Sequence, residues 1–239
     1  MEPFVEDSNV TDIYADGTYF KNNASWHEED SSWKAHQIQI MIDRNELEPL
    51  TICEIGCGAG EVLVQLSSLL GVGKEYSGFE VSPQAFQICE PKAQENIVFS
   101  LKDLLEEQDQ YYDIVMAIDV FEHVEDYFGF LRRLRTKGKY KIFHIPLDLS
   151  VQSVLRSSPI IKHRHSVGHI QYFTKETALE TIKDTGYQIL DYFYTSSSDL
   201  PNRGWKANLI RIPRKLAFLA NKDLAVRILG GYSLLVLAI

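Results

Sequence analysis

Between residues 51 and 145 the chain repeats one alternation: a short run, mostly apolar and often β-branched, followed by a longer stretch with apolar positions at helical spacing. Short apolar runs bounded by polar turns suit strands buried on both faces, so strands are expected at 51–55, 75–80, 96–100, 113–118 and 140–145. Helices are expected at about 60–71, from Ser82-Pro83 onward and near 123–135. Ser82 can cap the second helix and Pro83 suits its first turn.

The pattern then changes. Residues 146–171 show no clear period and read as a long irregular segment, a candidate substrate loop. A helix follows at 174–183, ending before Gly186, and 187–195 reads as a strand. Residues 209–229 set Arg211, Arg214, Lys215, Lys222 and Arg227 among apolar side chains at helical spacing. That composition suits an inserted lid and, as the alternative, a helix lying on a membrane surface. Gly230-Gly231 turns the chain into a last apolar strand at 232–238, too short to span a bilayer. Ahead of residue 50 the period is weak, and Tyr14, Tyr19, Phe20, Trp26, His27 and Trp33 crowd an acidic segment. One domain over 1–239 is expected, with a cap at 1–49 and substrate-side insertions at 146–171 and 200–229.

Composition agrees: 239 residues, 45% hydrophobic, can bury one substantial core. The three cysteines read as reduced thiols, Cys53 and Cys57 as small packing residues. The first residues lack a basic start and an apolar run, so no signal or transit peptide is expected and a cytoplasmic protein is. The net charge of −9 is unevenly spread: residues 1–130 hold 6 Lys+Arg against 26 Asp+Glu, and residues 131–239 hold 18 against 7. An acidic first half suits a cationic ligand. The basic second half invites an anionic small-molecule acceptor, a nucleic acid or an anionic membrane, or simply faces its acidic counterpart. Nucleic acid is disfavoured, because no recognisable nucleic-acid-binding module fits in the length.

The densest chemistry lies where the first strand meets its helix, Thr51-Ile-Cys-Glu-Ile-Gly-Cys-Gly-Ala-Gly-Glu-Val-Leu63. Gly56, Gly58 and Gly60 let the backbone approach a ligand, and the helix start offers unpaired N–H groups. Such a turn serves NAD, FAD or S-adenosylmethionine, or is a structural turn. Neighbouring acids narrow the choice. A dinucleotide fingerprint would place glycine where Glu61 stands, and Glu54 precedes the loop. These carboxylates repel a diphosphate but suit an ammonium and a sulfonium. Glu80 ends the next strand, at the spacing that places an acid on ribose hydroxyls.

On these residues the chain resembles the class I S-adenosylmethionine-dependent methyltransferases, in the broad group related to ubiquinone-biosynthesis O-methyltransferases. The matching stretches are Glu54 to Gly60, Gly78-Phe-Glu-Val-Ser-Pro83, Leu101-Lys-Asp-Leu104, Tyr112 to Val124 and Gly168-His-Ile-Gln-Tyr-Phe-Thr174. The resemblance implies an α/β, Rossmann-like sheet of seven mostly parallel strands, the last antiparallel, with helices on both faces. It implies S-adenosylmethionine as cofactor, held by Glu54, Gly56, Gly58, Gly60, Glu80, Val81, Asp103, Leu104 and Asp119, with Asp103 and Leu104 beside the adenine. In this family N-terminal aromatics fold over the cofactor. The methyl acceptor varies, and is expected to be oxygen on a small-molecule or saccharide-type metabolite. The alternatives are a nitrogen or carbon acceptor, RNA, and a cofactor-binding regulatory protein without turnover.

Transfer to a hydroxyl needs an aligned acceptor and a base. His144, at a strand tip, is the first choice; His123 and His169 are the other candidates, with Asp148, His163 and His165 nearby in sequence. Asp119-x-x-Glu122-His123 with the distant His169 also resembles the arrangement by which small-RNA 2′-O-methyltransferases hold a divalent ion. Glu122, His123 and His169 are therefore candidate metal ligands. The chain departs from that pattern at Asp119, where those enzymes have glutamate, and simple base catalysis is the preferred expectation.

Overall fold

A computed structural model of the chain describes residues 28–200 and 205–239, the side chains of 198 and 205–211 excepted. The expected seven strands form: β1 Thr51–Ile55, β2 Glu75–Glu80, β3 Ile97–Leu101, β4 Tyr112–Ile118, β5 Gly138–Pro146, β6 Ile189–Ser196 and β7 Tyr232–Ala238. They make one sheet in the order β3-β2-β1-β4-β5-β7-β6. Strands β1 to β5 pair in parallel, and β7 runs antiparallel between β5 and β6. The strand order reverses beside β1, between the loops that leave β1 and β4, where such sheets open a ligand crevice.

Alternation along the strands feeds two cores. Leu234, Val236 and Ala238 of β7 join the cluster on one face, with Phe121, Phe143 and Phe173. Leu235 and Leu237 join the other, with Ile38, Leu63 and Leu66. That second face is covered by α1 (Glu28–Arg44) and α2 (Glu61–Leu70), which pack on each other. Helix α3 (Pro83–Cys89) begins at the expected cap, the Ser82 hydroxyl accepting from the Ala85 N–H. Helix α4 (Tyr127–Leu134) follows β4.

Residues 146–171 are not irregular. They contain α5 (Val151–Arg156) and α6 (Ser158–Val167), separated by Ser157 at φ 55°. A reciprocal capping box between Ser150 and Ser153 starts α5. No residue of α6 is buried, so it carries no apolar stripe for periodicity to detect. The acidic N-terminal segment likewise contains the 17-residue α1, whose buried face uses Ser31 and Ala35 as well as Ile38, Met41 and Ile42. Helix α7 (Lys175–Asp184) precedes β6. The basic segment forms α8 (Trp205–Ala220), with Pro213 inside it, and α9 (Lys222–Leu229). Among the described residues no helix is long and apolar enough to cross a membrane. Tyr14, Tyr19, Phe20, Trp26 and His27 lie outside the described residues.

Candidate active site

The turn after β1 is shaped by its glycines. Gly56, Gly58 and Gly60 have φ of 65°, 54° and 74°, the left-handed region that disfavours side chains. At Gly60 a Cβ would also come within 2.6 Å of the Phe99 ring. The loop is held from the neighbouring strand. One Glu80 carboxylate oxygen accepts from the Gly58 N–H at 2.8 Å, and the other from the Val81 and Ser82 N–H groups, each at 2.8 Å. Burial nevertheless outweighs these bonds and raises the Glu80 carboxyl above its ordinary pKa.

Glu54 faces the same space. It is buried, one of its oxygens has no hydrogen-bond partner, and burial pushes its pKa to about 8 although Lys34 pulls the other way. An unpartnered buried carboxyl beside a backbone cradle fits a cationic ligand group. Asp103 and Leu104 do not line this cavity. Asp103 caps the following turn through the Leu105 N–H at 2.9 Å, and Leu104 is buried in the core. Val81 does line it.

The cavity, about 470 Å³, runs from this acidic end to a histidine-lined end after β4 and β5. Asp119 stands between them with φ 55°, a strained value that aspartate tolerates better than most side chains. Its carboxylate accepts from His144 Nδ1 at 2.6 Å and pairs with Lys34 Nζ at 2.8 Å. Burial would raise the Asp119 pKa, but His144 and Lys34 prevail and hold it well below the ordinary range. His144 is buried, and Thr195 Oγ1 engages its Nε2 at 2.9 Å. Both ring nitrogens of the first-choice base are thus occupied. Trp33 of α1 meets its ring edge-on, with centroids 6.3 Å apart.

A second Asp–His arrangement stands at the histidine-lined end of the cavity. Asp148 accepts from His169 Nδ1 at 2.6 Å and from His163 Nδ1 at 2.8 Å. Burial raises the Asp148 carboxyl, but these two bonds outweigh it and lower its pKa; the bond in turn raises that of His163. His169 and His163 line the cavity, whereas His165 is exposed and does not. Among the described residues no hydrogen bond engages His169 Nε2.

His123 Nδ1 meets the Gly168 carbonyl at 3.1 Å, and its ring stands edge-on to His169 at 4.9 Å. Burial, then His169, lowers its pKa to about 4, so its imidazole is neutral. Glu122 is fully buried with neither carboxyl oxygen hydrogen-bonded, and burial followed by the Asp119 charge raises its pKa well above normal. One donor atom each from Glu122, His123 and His169 lie within 4.8 Å of one another. Two imidazoles beside a buried carboxyl that accepts no hydrogen bond fit a divalent cation. Asp119 is committed to Lys34 and His144, away from that set.

Lys34 and Thr195 escaped the sequence reading. Lys34 left a weak signal, a base within the acidic first half. Thr195 left none, because it is 51 residues from His144 and arrives through the strand order.

Residues 26–192 match the methyltransferase-domain family, and the chain belongs to it. Solved structures share the fold at low identity. The plantazolicin methyltransferase, solved with a monoazolic desmethylPZN analog and SAH, is 17% identical with a TM-score of 0.63, over 96% of this chain and 93% of that one. Magnesium protoporphyrin IX methyltransferase from Synechocystis, with SAH bound, is 16% identical with a TM-score of 0.56, over 99% and 89%. The N-methyltransferase NodS from Bradyrhizobium japonicum, in complex with S-adenosyl-L-homocysteine, is 14% identical with a TM-score of 0.57, over 93% and 97%.

Proposed function

We propose that the protein transfers a methyl group from S-adenosylmethionine to a hydroxyl oxygen of a small-molecule or saccharide-type acceptor, with His169 as general base. Support for the cofactor comes from the cradle. Glu54 carries a buried carboxyl suited to the cofactor's positive groups, Glu80 lines the cavity at the end of the next strand, where it suits the ribose hydroxyls, and the glycine turn admits close backbone approach. The SAH held by the three similar methyltransferases agrees with that reading.

The observation that carries the choice of base is the contrast between two Asp–His pairs. Asp119 holds His144 at Nδ1, but Thr195 covers Nε2. Asp148 holds His169 at Nδ1, which leaves Nε2 for the acceptor. In the reaction the acceptor oxygen attacks the methyl carbon in line, and the C–S bond breaks with its electron pair going to sulfur. The hydroxyl proton passes to His169 Nε2, and Asp148 stabilises the imidazolium. His144, fixed between Asp119 and Thr195, positions the wall of the cavity and ties it to Lys34.

A second reading rests on Glu122, whose buried oxygens accept no hydrogen bond, one of them 3.8 Å from His123 Nε2. Glu122, His123 and His169 would hold a divalent cation there, and such an ion lowers the pKa of a bound hydroxyl. Methyl-labelled cofactor incubated with fractionated metabolites tests the main proposal. Label recovered in a methyl ether supports it, and label in a methyl ester, on nitrogen or on carbon, or no transfer, overturns the assignment to a hydroxyl oxygen.

A further inference from the structure

Helices α5, α6, α8 and α9 form one connected surface, since α8 packs on α9, α9 on α5, and α5 on α6. This surface presents large apolar side chains to solvent. Ile212, Leu216 and Leu219 recur along one side of α8, and Leu224 and Ile228 along α9, all exposed. Val154 and Leu155 of α5 and Ile161 of α6 extend the same display, with Leu155 81% and Leu219 77% exposed. Apolar side chains at this spacing normally turn inward; here they face out.

Charge on the surface is one-sided. Residues 151–167 and 205–229 together carry nine Lys or Arg and one acid, Asp223, in a chain whose net charge is −9. Asp223 is taken by Lys175, and two acids from neighbouring elements reach the surface, Asp199 pairing with Lys215 at 3.2 Å and Glu176 with Arg227. That leaves Arg156, Lys162, Arg164 and Lys222 in excess. Arg156, Lys162, Arg164, Lys215, Lys222 and Arg227 are exposed, while Arg214 is turned inward onto the carbonyls of Leu229 and Gly230.

We infer that this surface docks on an anionic phospholipid bilayer, with the apolar side chains entering the headgroup boundary and the bases meeting lipid charge. The interleaving decides between a membrane and a protein. Lys215 lies three residues after Ile212 and four before Leu219, and Arg164 three after Ile161, so these bases share a helix face with the apolar side chains. A protein interface concentrates its apolar side chains in a core depleted of charge. Apolar groups each flanked by a base suit the boundary where hydrocarbon and anionic headgroups meet, the long basic side chains reaching back to the phosphates. No described helix can span a bilayer, so the surface lies on the membrane. His163 and Val167 of α6 line the cavity, and docking therefore brings its histidine end close to the lipid surface.

Flotation of the full chain with vesicles of phosphatidylcholine, with and without phosphatidylglycerol, tests the inference without turnover, so a failed methyl-transfer assignment would leave it standing. Binding is expected to the mixed vesicles, to be weaker to pure phosphatidylcholine, and to fall with added salt. The pairs Leu155→Ser with Leu219→Ser, and Lys215→Glu with Lys222→Glu, should each weaken it by about tenfold or more, with circular dichroism and cofactor affinity unchanged. No flotation with either vesicle, equal flotation with both, or full binding by both double variants would overturn it. So would a stable dimer in sedimentation that the leucine pair abolishes while vesicle binding persists.

Discussion

Asp119 and His144 are joined twice across the β4–β5 pair. The Asp119 N–H donates to the His144 carbonyl at 3.0 Å, and the Asp119 carboxylate accepts from His144 Nδ1 at 2.6 Å. The backbone bond extends the strand ladder by one residue, and the side-chain bond fixes the ring at its tip. The same carboxylate holds Lys34, so one residue ties α1 to the sheet beside the cavity.

Replacing Asp119 by asparagine keeps a side chain that tolerates positive φ but removes the charge. Stability should fall by about 2 kcal/mol at neutral pH, less than for a fully enclosed ion pair because the side chain is a quarter exposed. The native Asp119 pKa lies below the ordinary value of 3.8. Its contribution is therefore present above that pH and lost as pH falls toward the native pKa. Urea denaturation of both proteins should show the difference intact at mildly acidic pH and shrinking below pH 3.8. A constant difference across that range would assign the effect to geometry instead.

The sheet was legible because its strands are short apolar runs bounded by turn residues, the central ones β1, β4, β5 and β7 buried on both faces. Helix α6 was not, since it buries nothing, and α1 was hidden because part of its packed face is serine and alanine. The cradle could be read for a local reason: Gly56, Gly58 and Gly60 lie in one turn, with Glu54 two residues ahead and Glu80 one strand away. The acceptor end could be read only as a set of candidate residues. Which nitrogen of each histidine is covered depends on Thr195, Asp148 and Gly168, none of them adjacent in sequence to the ring it meets.

Glu54 lowers the stability of the protein at neutral pH. Its native pKa of about 8 exceeds the ordinary 4.5, so its contribution to stability is full below pH 4.5 and is lost as pH rises toward 8. Thermal melts of the cofactor-free protein should therefore show a decline across that window which Glu54→Gln flattens. A cationic cofactor should reverse the cost by drawing Glu54 into its charged form. Calorimetry near pH 7 in buffers of different ionisation enthalpy should detect proton release on binding, absent in Glu54→Gln. Equal proton release from both proteins would remove Glu54 from the cofactor site.

Glu80 holds the glycine turn through three N–H groups and lines the cavity, and the proposed cofactor reading gives it a second task on the ribose. Glu80→Ala should lower affinity for S-adenosylmethionine by about 2 kcal/mol or more, the scale of hydrogen bonds to a charged group at a buried site. Calorimetric titration giving unchanged affinity would refute both the ribose contact and the role of the turn in binding.

His169 and His144 are separated by what their substitutions do to rate and to pH dependence. If His169 takes the acceptor proton, His169→Ala should lower kcat by roughly 10²- to 10⁴-fold with cofactor affinity unchanged, and remove the acidic limb of the pH–rate profile. His144→Ala should leave that limb in place, because the ring acts through Asp119 and Thr195, and should instead raise KM or lower thermal stability. Asp148→Asn should follow His169→Ala in kcat, since it removes the charge that stabilises the imidazolium. Chelation distinguishes the metal reading: if Glu122, His123 and His169 hold an ion, a chelator should abolish turnover and Glu122→Gln should do the same, with cofactor binding intact. If the chelated enzyme keeps full activity and His169→Ala loses it, the base stands. Full activity in both would leave alignment of acceptor and methyl group as the source of the rate.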